Sequence, residues 1–77
     1  MGKTDNIDLV DQFPDVLKDI RLNNGISQEE LAARAGLHRT YISQIERGLK
    51  SPSLRSLAQI ADALDAKLSQ IIQKLES

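Results

Sequence analysis

The chain has no cysteine and no tryptophan, and one histidine, one tyrosine and one phenylalanine among 77 residues. The absence of cysteine excludes disulfide bridges and thiolate metal sites as supports for the fold. One histidine and no cluster of acidic residues leave few parts for a catalytic site, so we expect no enzyme activity, no metal and no cofactor. A domain this small buries only about 60% of the surface that its unfolded chain exposes, which leaves oligomerisation as a way to bury more.

Long apolar runs are also absent. No stretch approaches the roughly 20 residues that a membrane span needs, and no apolar segment near the start is typical of a secretion signal. We therefore expect a cytoplasmic protein with no membrane partner. Four glycines and two prolines among many Ala, Leu, Ile, Gln and Glu residues favour an all-α fold in one domain.

The net charge is −1, but positive and negative side chains are unevenly distributed. Residues 1–20 carry five acidic and two basic side chains, residues 21–55 carry three acidic and six basic, and residues 56–77 carry three acidic and two basic. The middle segment has the balance of a surface that attracts a polyanion. Charge alone does not distinguish such a surface from a chance segregation.

Apolar residues recur at helical spacing in five segments, and turn-forming residues separate the segments. Ser27 followed by Glu30 is a capping-box pattern at the start of the second segment, and Gly36 ends that segment after about two turns. Pro14 suits the first turn of a helix, because its missing N–H would have no acceptor there. The predicted helices, in chain order, lie at about 12–24, 28–35, 39–47, 54–64 and 67–75.

Two short helices joined by a turn that contains glycine, at about 28–47, are typical of a helix-turn-helix. Residues 1–9 are polar and without periodicity, which predicts a flexible tail before a single domain at 10–77. The last predicted helix is short and apolar, and we expect it to cover the core and to leave Ile71 and Leu75 partly available to a second copy of the chain.

Three motifs in register carry a resemblance to a known family. They are SQEELA with a glycine five positions after its leucine, YISQIERG, and PSLRSLAQIADAL. Over about residues 13–75 the chain resembles the lambda-repressor/Cro-like helix-turn-helix (XRE) family, and it looks most like controller proteins of restriction–modification systems. The resemblance implies a five-helix domain that binds double-stranded DNA as a homodimer on a pseudo-palindromic operator and regulates transcription, with RNA polymerase as a further partner.

The resemblance also implies roles for individual residues. The third helix would enter the major groove, where Arg suits guanine O6 and N7 and Gln suits adenine N6 and N7. Base contacts would fall on His38, Arg39, Thr40, Ser43 and Gln44. Phosphate contacts would fall on Gln28, Tyr41, Arg47 and Lys50. Arg21 and Glu46 match a partly buried salt bridge between the first and third helices.

The chain departs from the family pattern at two positions. Asp65 stands where the family usually has glycine, and Lys67 stands where it usually has a serine cap. Both departures bear on the start of the fifth helix and on the geometry of a dimer.

Other interpretations of the same features stay open. The ring of Tyr41 would also suit simple packing beside the second helix, and Arg39 and Gln44 would suit a solvated helix surface. Because fold alone does not fix function, an antitoxin or an assembly adaptor on the same scaffold is the alternative. Such a protein would bind a partner through the acidic residues 1–20 and the last apolar helix.

Overall fold

A computed structural model of the chain describes residues 6–65 and residue 73. This part of the chain is helical and contains no strand, which confirms the all-α class. None of its helices is both long enough and apolar enough to cross a membrane. The four helices are α1 (Asn6–Asn23), α2 (Gln28–Ala35), α3 (Arg39–Glu46) and α4 (Leu54–Ala63).

The bounds of α2, α3 and α4 agree with the predicted segments to within one residue. The fifth predicted helix, at 67–75, lies outside the described residues, and so do Ile71 and Leu75. The helix-turn-helix at about 28–47 consists of α2, α3 and the turn between them.

The predicted start of α1 is wrong. We expected a helix from about residue 12 with Pro14 in its first turn, but α1 begins at Asn6 and Pro14 lies in its interior. Proline removes one main-chain hydrogen bond, to the carbonyl four residues earlier, and the helix continues because the bonds on either side remain. Residues 6–9, assigned to a flexible tail, are therefore helical.

Serine caps begin both α2 and α4. The Ser27 hydroxyl accepts a hydrogen bond from the Glu30 N–H at 3.0 Å, and Ser53 accepts from the N–H three residues later at 3.0 Å. The Glu30 carboxylate accepts from Arg34 one turn later, at 2.6 Å, instead of completing the capping box. At the other end of α2, Gly36 adopts φ 72°, the left-handed conformation that ends a helix most readily as glycine.

One apolar core joins the four helices. Its fully buried side chains are Leu17 of α1, Leu31 of α2, Ile42 and Ile45 of α3, and Ile60 of α4. With 8 residues each, α2 and α3 are too short to persist alone in water. Full burial of a Leu or Ile side chain contributes about 1.5–3 kcal/mol, so packing on this core stabilises the two helices and fixes one against the other.

Candidate nucleic-acid interface

The helix α3 has two faces of opposite character. Ile42 and Ile45 are fully buried, and the ring of Tyr41 packs against the core beside them. Four polar residues recur on the other face at i, i+3, i+4 and i+7. They are Thr40 and Arg47, which are exposed, and Ser43 and Gln44, which are partly exposed. The buried face fixes the rotation of the helix, so the same four side chains are always presented outward.

The first turn of α3 is open to solvent. His38 is the N-cap residue, and its side chain makes no capping hydrogen bond. Both His38 and Arg39 are exposed. In the first turn of α3 the Tyr41 N–H donates to the His38 carbonyl at 3.0 Å, and the N–H groups before it have no acceptor within the helix, so this end combines main-chain donors with an imidazole and a guanidinium. Residues 6–65 and 73 include no group of three or more acidic or histidine side chains that would hold a metal ion.

The loop after α3 folds back onto the end of the helix. The N–H groups of Leu49 and Lys50 donate to the Gln44 carbonyl at 2.8 and 3.3 Å. Gly48 makes this reversal possible with φ 75°, a conformation that a side chain would strain. The exposed cations Arg47 and Lys50 are therefore held near the C-terminal end of α3 by main-chain hydrogen bonds.

The Tyr41 hydroxyl joins α3 to the start of α4. Its oxygen accepts a hydrogen bond from the Ser53 N–H at 3.4 Å. Because the oxygen accepts in this contact, the hydroxyl hydrogen is available to an acceptor outside the described chain, such as a phosphate oxygen. Core packing and phosphate binding are thus compatible roles for Tyr41, and the two interpretations of its sequence position do not exclude each other.

A buried ion pair ties α1 to α3. Arg21 donates from Nε to Glu46 Oε2 at 2.7 Å and from Nη2 to Glu46 Oε1 at 3.0 Å, and the two side chains are 8% and 3% exposed. A third donor of Arg21, Nη1, bonds to the Ile26 carbonyl at 2.9 Å. The hydrogen bond with Glu46 raises the pKa of Arg21 above its ordinary value, burial opposes the rise, and the charge of Glu46 adds to it. Arg21 is therefore a cation at every ordinary pH.

Gln28 lies at the start of α2, beside this ion pair. Its side-chain nitrogen donates to Glu46 Oε1 at 3.0 Å. The resemblance assigned Gln28 to a phosphate, and sequence reasoning missed its bond to Glu46. No periodic pattern connects two polar residues 18 positions apart on different helices.

A second contact that sequence reasoning missed joins α4 to the end of α2. The Gln59 side chain donates to the Ala35 carbonyl at 3.0 Å. The last carbonyls of a helix have no donor within that helix, so Gln59 satisfies one of them from a neighbouring element. The contact helps to hold α2 in place at the end opposite Gln28.

The structure brings the expected base-contact residues together at the first turn and the outer face of α3. The expected phosphate residues lie at the start of α2, in α3 and at its C-terminal end, and in the loop that follows α3. Gln28 begins α2, Tyr41 lies in α3, Arg47 is the C-cap residue of α3, and Lys50 lies in the following loop. This arrangement provides a polar helix face with donors on its flanks.

Comparison with known proteins matches residues 17–71 to the helix-turn-helix family HTH_3. The control protein C.BamHI of Bacillus amyloliquefaciens is 41% identical over 70 residues, which cover 90% of this chain and 84% of that protein. The uncharacterized HTH-type transcriptional regulator y4dL of Sinorhizobium fredii (strain NBRC 101917 / NGR234) is 46% identical over 59 residues. This match covers 77% of the present chain but only 30% of that regulator.

Among solved structures, the wild-type restriction-modification controller protein C.Esp1396I is similar, with a TM-score of 0.83 and 37% identity over 88% of this chain and 90% of that one. C.Esp1396I is also known as a tetramer in complex with its natural 35 base-pair operator. Further structures of it carry substitutions at three consecutive positions, an arginine, a threonine and a tyrosine. Arg39, Thr40 and Tyr41 follow one another in the same order here.

Proposed function

This chain belongs to the helix-turn-helix family HTH_3, and we propose that it is a sequence-specific DNA-binding regulator of transcription. It acts as a homodimer on a pseudo-palindromic operator in the cytoplasm, at the nucleoid, without catalysing a reaction. Its likeness to C.BamHI and C.Esp1396I favours a role as a restriction–modification controller. A phage- or plasmid-type repressor would use the same surface.

The outer face of α3 is the observation that carries this proposal. Ile42 and Ile45 on the opposite face are buried in the core, so the helix presents the side chains of its outer face in a fixed direction. Arg39 offers a planar fork for guanine, and the Gln44 amide offers one donor and one acceptor for adenine. Each well-formed bidentate contact of this kind discriminates by about 1–3 kcal/mol against the wrong base. His38, Thr40 and Ser43 complete the proposed base-reading set.

The flanking donors set the register of the helix on the duplex. Phosphate contacts carry no sequence information themselves, but they fix the orientation in which bases are read. We assign this role to Gln28 and Tyr41, which are neutral donors, and to Arg47 and Lys50, which are cations. The N-terminal end of α2 adds a helix dipole that favours a phosphate.

Dimerisation places two copies of α3 on one face of the duplex. Half-sites would lie about 34–36 Å apart, which is one helical turn of B-DNA. Ile71 and Leu75 are the residues that we propose for the dimer interface. The bound dimer would repress by covering a promoter, or activate through contact with RNA polymerase.

Selection from a random duplex pool at about 150 mM salt, near physiological ionic strength, tests the proposal. Sequencing of the bound fraction should give a motif with two-fold symmetry. A protein that is folded and dimeric but enriches no sequence would contradict the proposal. That result would favour the antitoxin or adaptor alternative, for which co-purification of a partner protein from the native host is the next observation.

A further inference from the structure

The Glu46 carboxylate is shared between donors on two other helices. Its Oε2 accepts from Arg21 Nε at 2.7 Å, and its Oε1 accepts from both Arg21 Nη2 and Gln28 Nε2 at 3.0 Å. Arg21 belongs to α1, Gln28 begins α2, and Glu46 ends α3. One buried side chain therefore links the ion pair to the first residue of the helix-turn-helix.

This contact decides which way the Gln28 amide faces. A glutamine amide has a donor nitrogen and an acceptor oxygen, whereas an ionised carboxylate only accepts. Glu46 therefore accepts from the amide nitrogen of Gln28, and the amide oxygen, which cannot donate, faces away from Glu46. The nitrogen has a second hydrogen, and a phosphate oxygen, which also only accepts, requires a donor of this kind. A glutamine without such a partner would divide its time between both orientations.

The ion pair makes this arrangement compatible with a polyanion. A lone carboxylate beside a phosphate would repel it, and the repulsion would be strong because Glu46 is only 3% exposed. The fork of Arg21 places one positive charge directly against that carboxylate. The pair has no net charge, so it orients the amide without opposing the approach of DNA.

We propose that Glu46 is a positioning residue for DNA binding, which holds the Gln28 amide in the orientation that donates to a backbone phosphate while Arg21 neutralises its charge. The inference rests on the proposed function, because it requires the start of α2 to lie against DNA. A salt bridge with a structural role alone would affect folding, and its effect on DNA affinity would be the same with or without Gln28. The proposed role goes further, since it requires the effect on affinity to depend on Gln28.

A double-mutant cycle on DNA affinity tests this inference. Replacement of Glu46 alone would leave Arg21 as a buried unpaired charge, so the pair is removed as Arg21→Met with Glu46→Met. This change is made with and without Gln28→Ala, and the Kd for the selected operator is measured for all four proteins. Thermal unfolding first establishes that each protein is folded at the temperature of the binding measurement.

We expect the effect of this pair on Kd to depend strongly on whether Gln28 is present. With Gln28 present, removal of the pair should weaken binding of the dimer by about 10- to 30-fold, or about 3- to 5-fold for each subunit, because the Gln28 amide loses its fixed orientation and its hydrogen bond to a charged phosphate is weakened without being abolished. In the Gln28→Ala background the same removal should change Kd by less than about twofold, since additivity fails where one residue acts through another. Equal factors in both backgrounds would overturn the inference.

Gln59→Ala provides the matched control. Gln59 also joins two helices by one side-chain hydrogen bond, but at the opposite end of α2. Its effect on Kd should be the same whether or not Gln28 is present, so coupling between Gln59 and Gln28 would overturn the specific role of Glu46. Failure of the unaltered protein to bind any duplex would instead overturn the proposed function. The two failures are therefore distinguishable.

Discussion

The Tyr41 hydroxyl accepts a hydrogen bond from the Ser53 N–H at 3.4 Å, and this contact joins α3 to the N-terminus of α4. The contact is long and exposed, so it adds little to stability, but it sets the position of a hydroxyl group on the flank of α3. The hydroxyl hydrogen takes no part in this contact, and we propose that it donates to a phosphate.

Tyr41→Phe should therefore separate binding from folding. The ring keeps its packing against the core, so the free energy of unfolding should change by less than about 1 kcal/mol. Affinity for the operator should fall by about tenfold for the dimer, equally on all sequences, because a phosphate donor carries no base preference. Thermal unfolding and fluorescence anisotropy measure the two quantities. Unchanged affinity would leave Tyr41 with packing as its only role.

Gln44→Ala should change which sequences the protein prefers. Gln44 lies on the outer face of α3, where its amide suits the edge of adenine. We expect a cost of about 1–3 kcal/mol on the best site and a relaxed preference at one position of each half-site. Selection and sequencing with the variant and the unaltered protein side by side measure both effects. Uniform weakening on every sequence would contradict a base-reading role.

Arg47→Ala and Gln28→Ala should differ in their response to salt. Arg47 is an exposed cation, whereas Gln28 is neutral. Loss of one cation in each subunit should reduce the slope of log K against log salt by about 2, because each neutralised phosphate contributes about 0.9. Gln28→Ala should lower affinity and leave the slope unchanged. Both variants should keep the same ranking of sequences, and a new motif for Arg47→Ala would contradict its assignment to phosphate.

Asp65→Gly should stabilise the protein. Asp65 has φ 55° and is the one residue other than glycine with a positive φ in the described part of the chain. A left-handed conformation costs an ordinary L-residue roughly 1–2 kcal/mol, and less for Asp, so glycine should raise the free energy of unfolding by about 0.5–1 kcal/mol. Asp65→Ala removes the same charge but keeps Cβ and should destabilise. If both variants respond alike in thermal unfolding, charge rather than backbone conformation explains the effect.

Local chemistry explains why some elements were predictable from sequence. Ser27 and Gly36 fix the two ends of α2 through a side-chain cap and a left-handed turn, and both signals act within a few residues. The predicted start of α1 was wrong because proline is common in the first turn of a helix. A helix of 18 residues also tolerates proline in its interior, where Pro14 lies.

Contacts between elements were not predictable in the same way. Gln28 meets Glu46 across 18 positions, and Gln59 meets Ala35 across 24. The apolar pattern of α3 predicts which of its residues face outward, and this part of the candidate site follows from periodicity. The proposed division of the outward residues into base-contact and phosphate-contact residues came from the family resemblance, since polar side chains of one face look alike in a single sequence.

Cooperative reading of one operator by two copies of α3 is tested by measuring the affinity of the dimer for the selected operator as the distance between half-sites changes. Insertion of about five base pairs, half a helical turn, would rotate the second half-site to the opposite side of the duplex. We expect binding then to fall to the affinity of an isolated half-site, while the original spacing binds best. Equal affinity at every spacing would contradict the claim that two copies of α3 read one operator together.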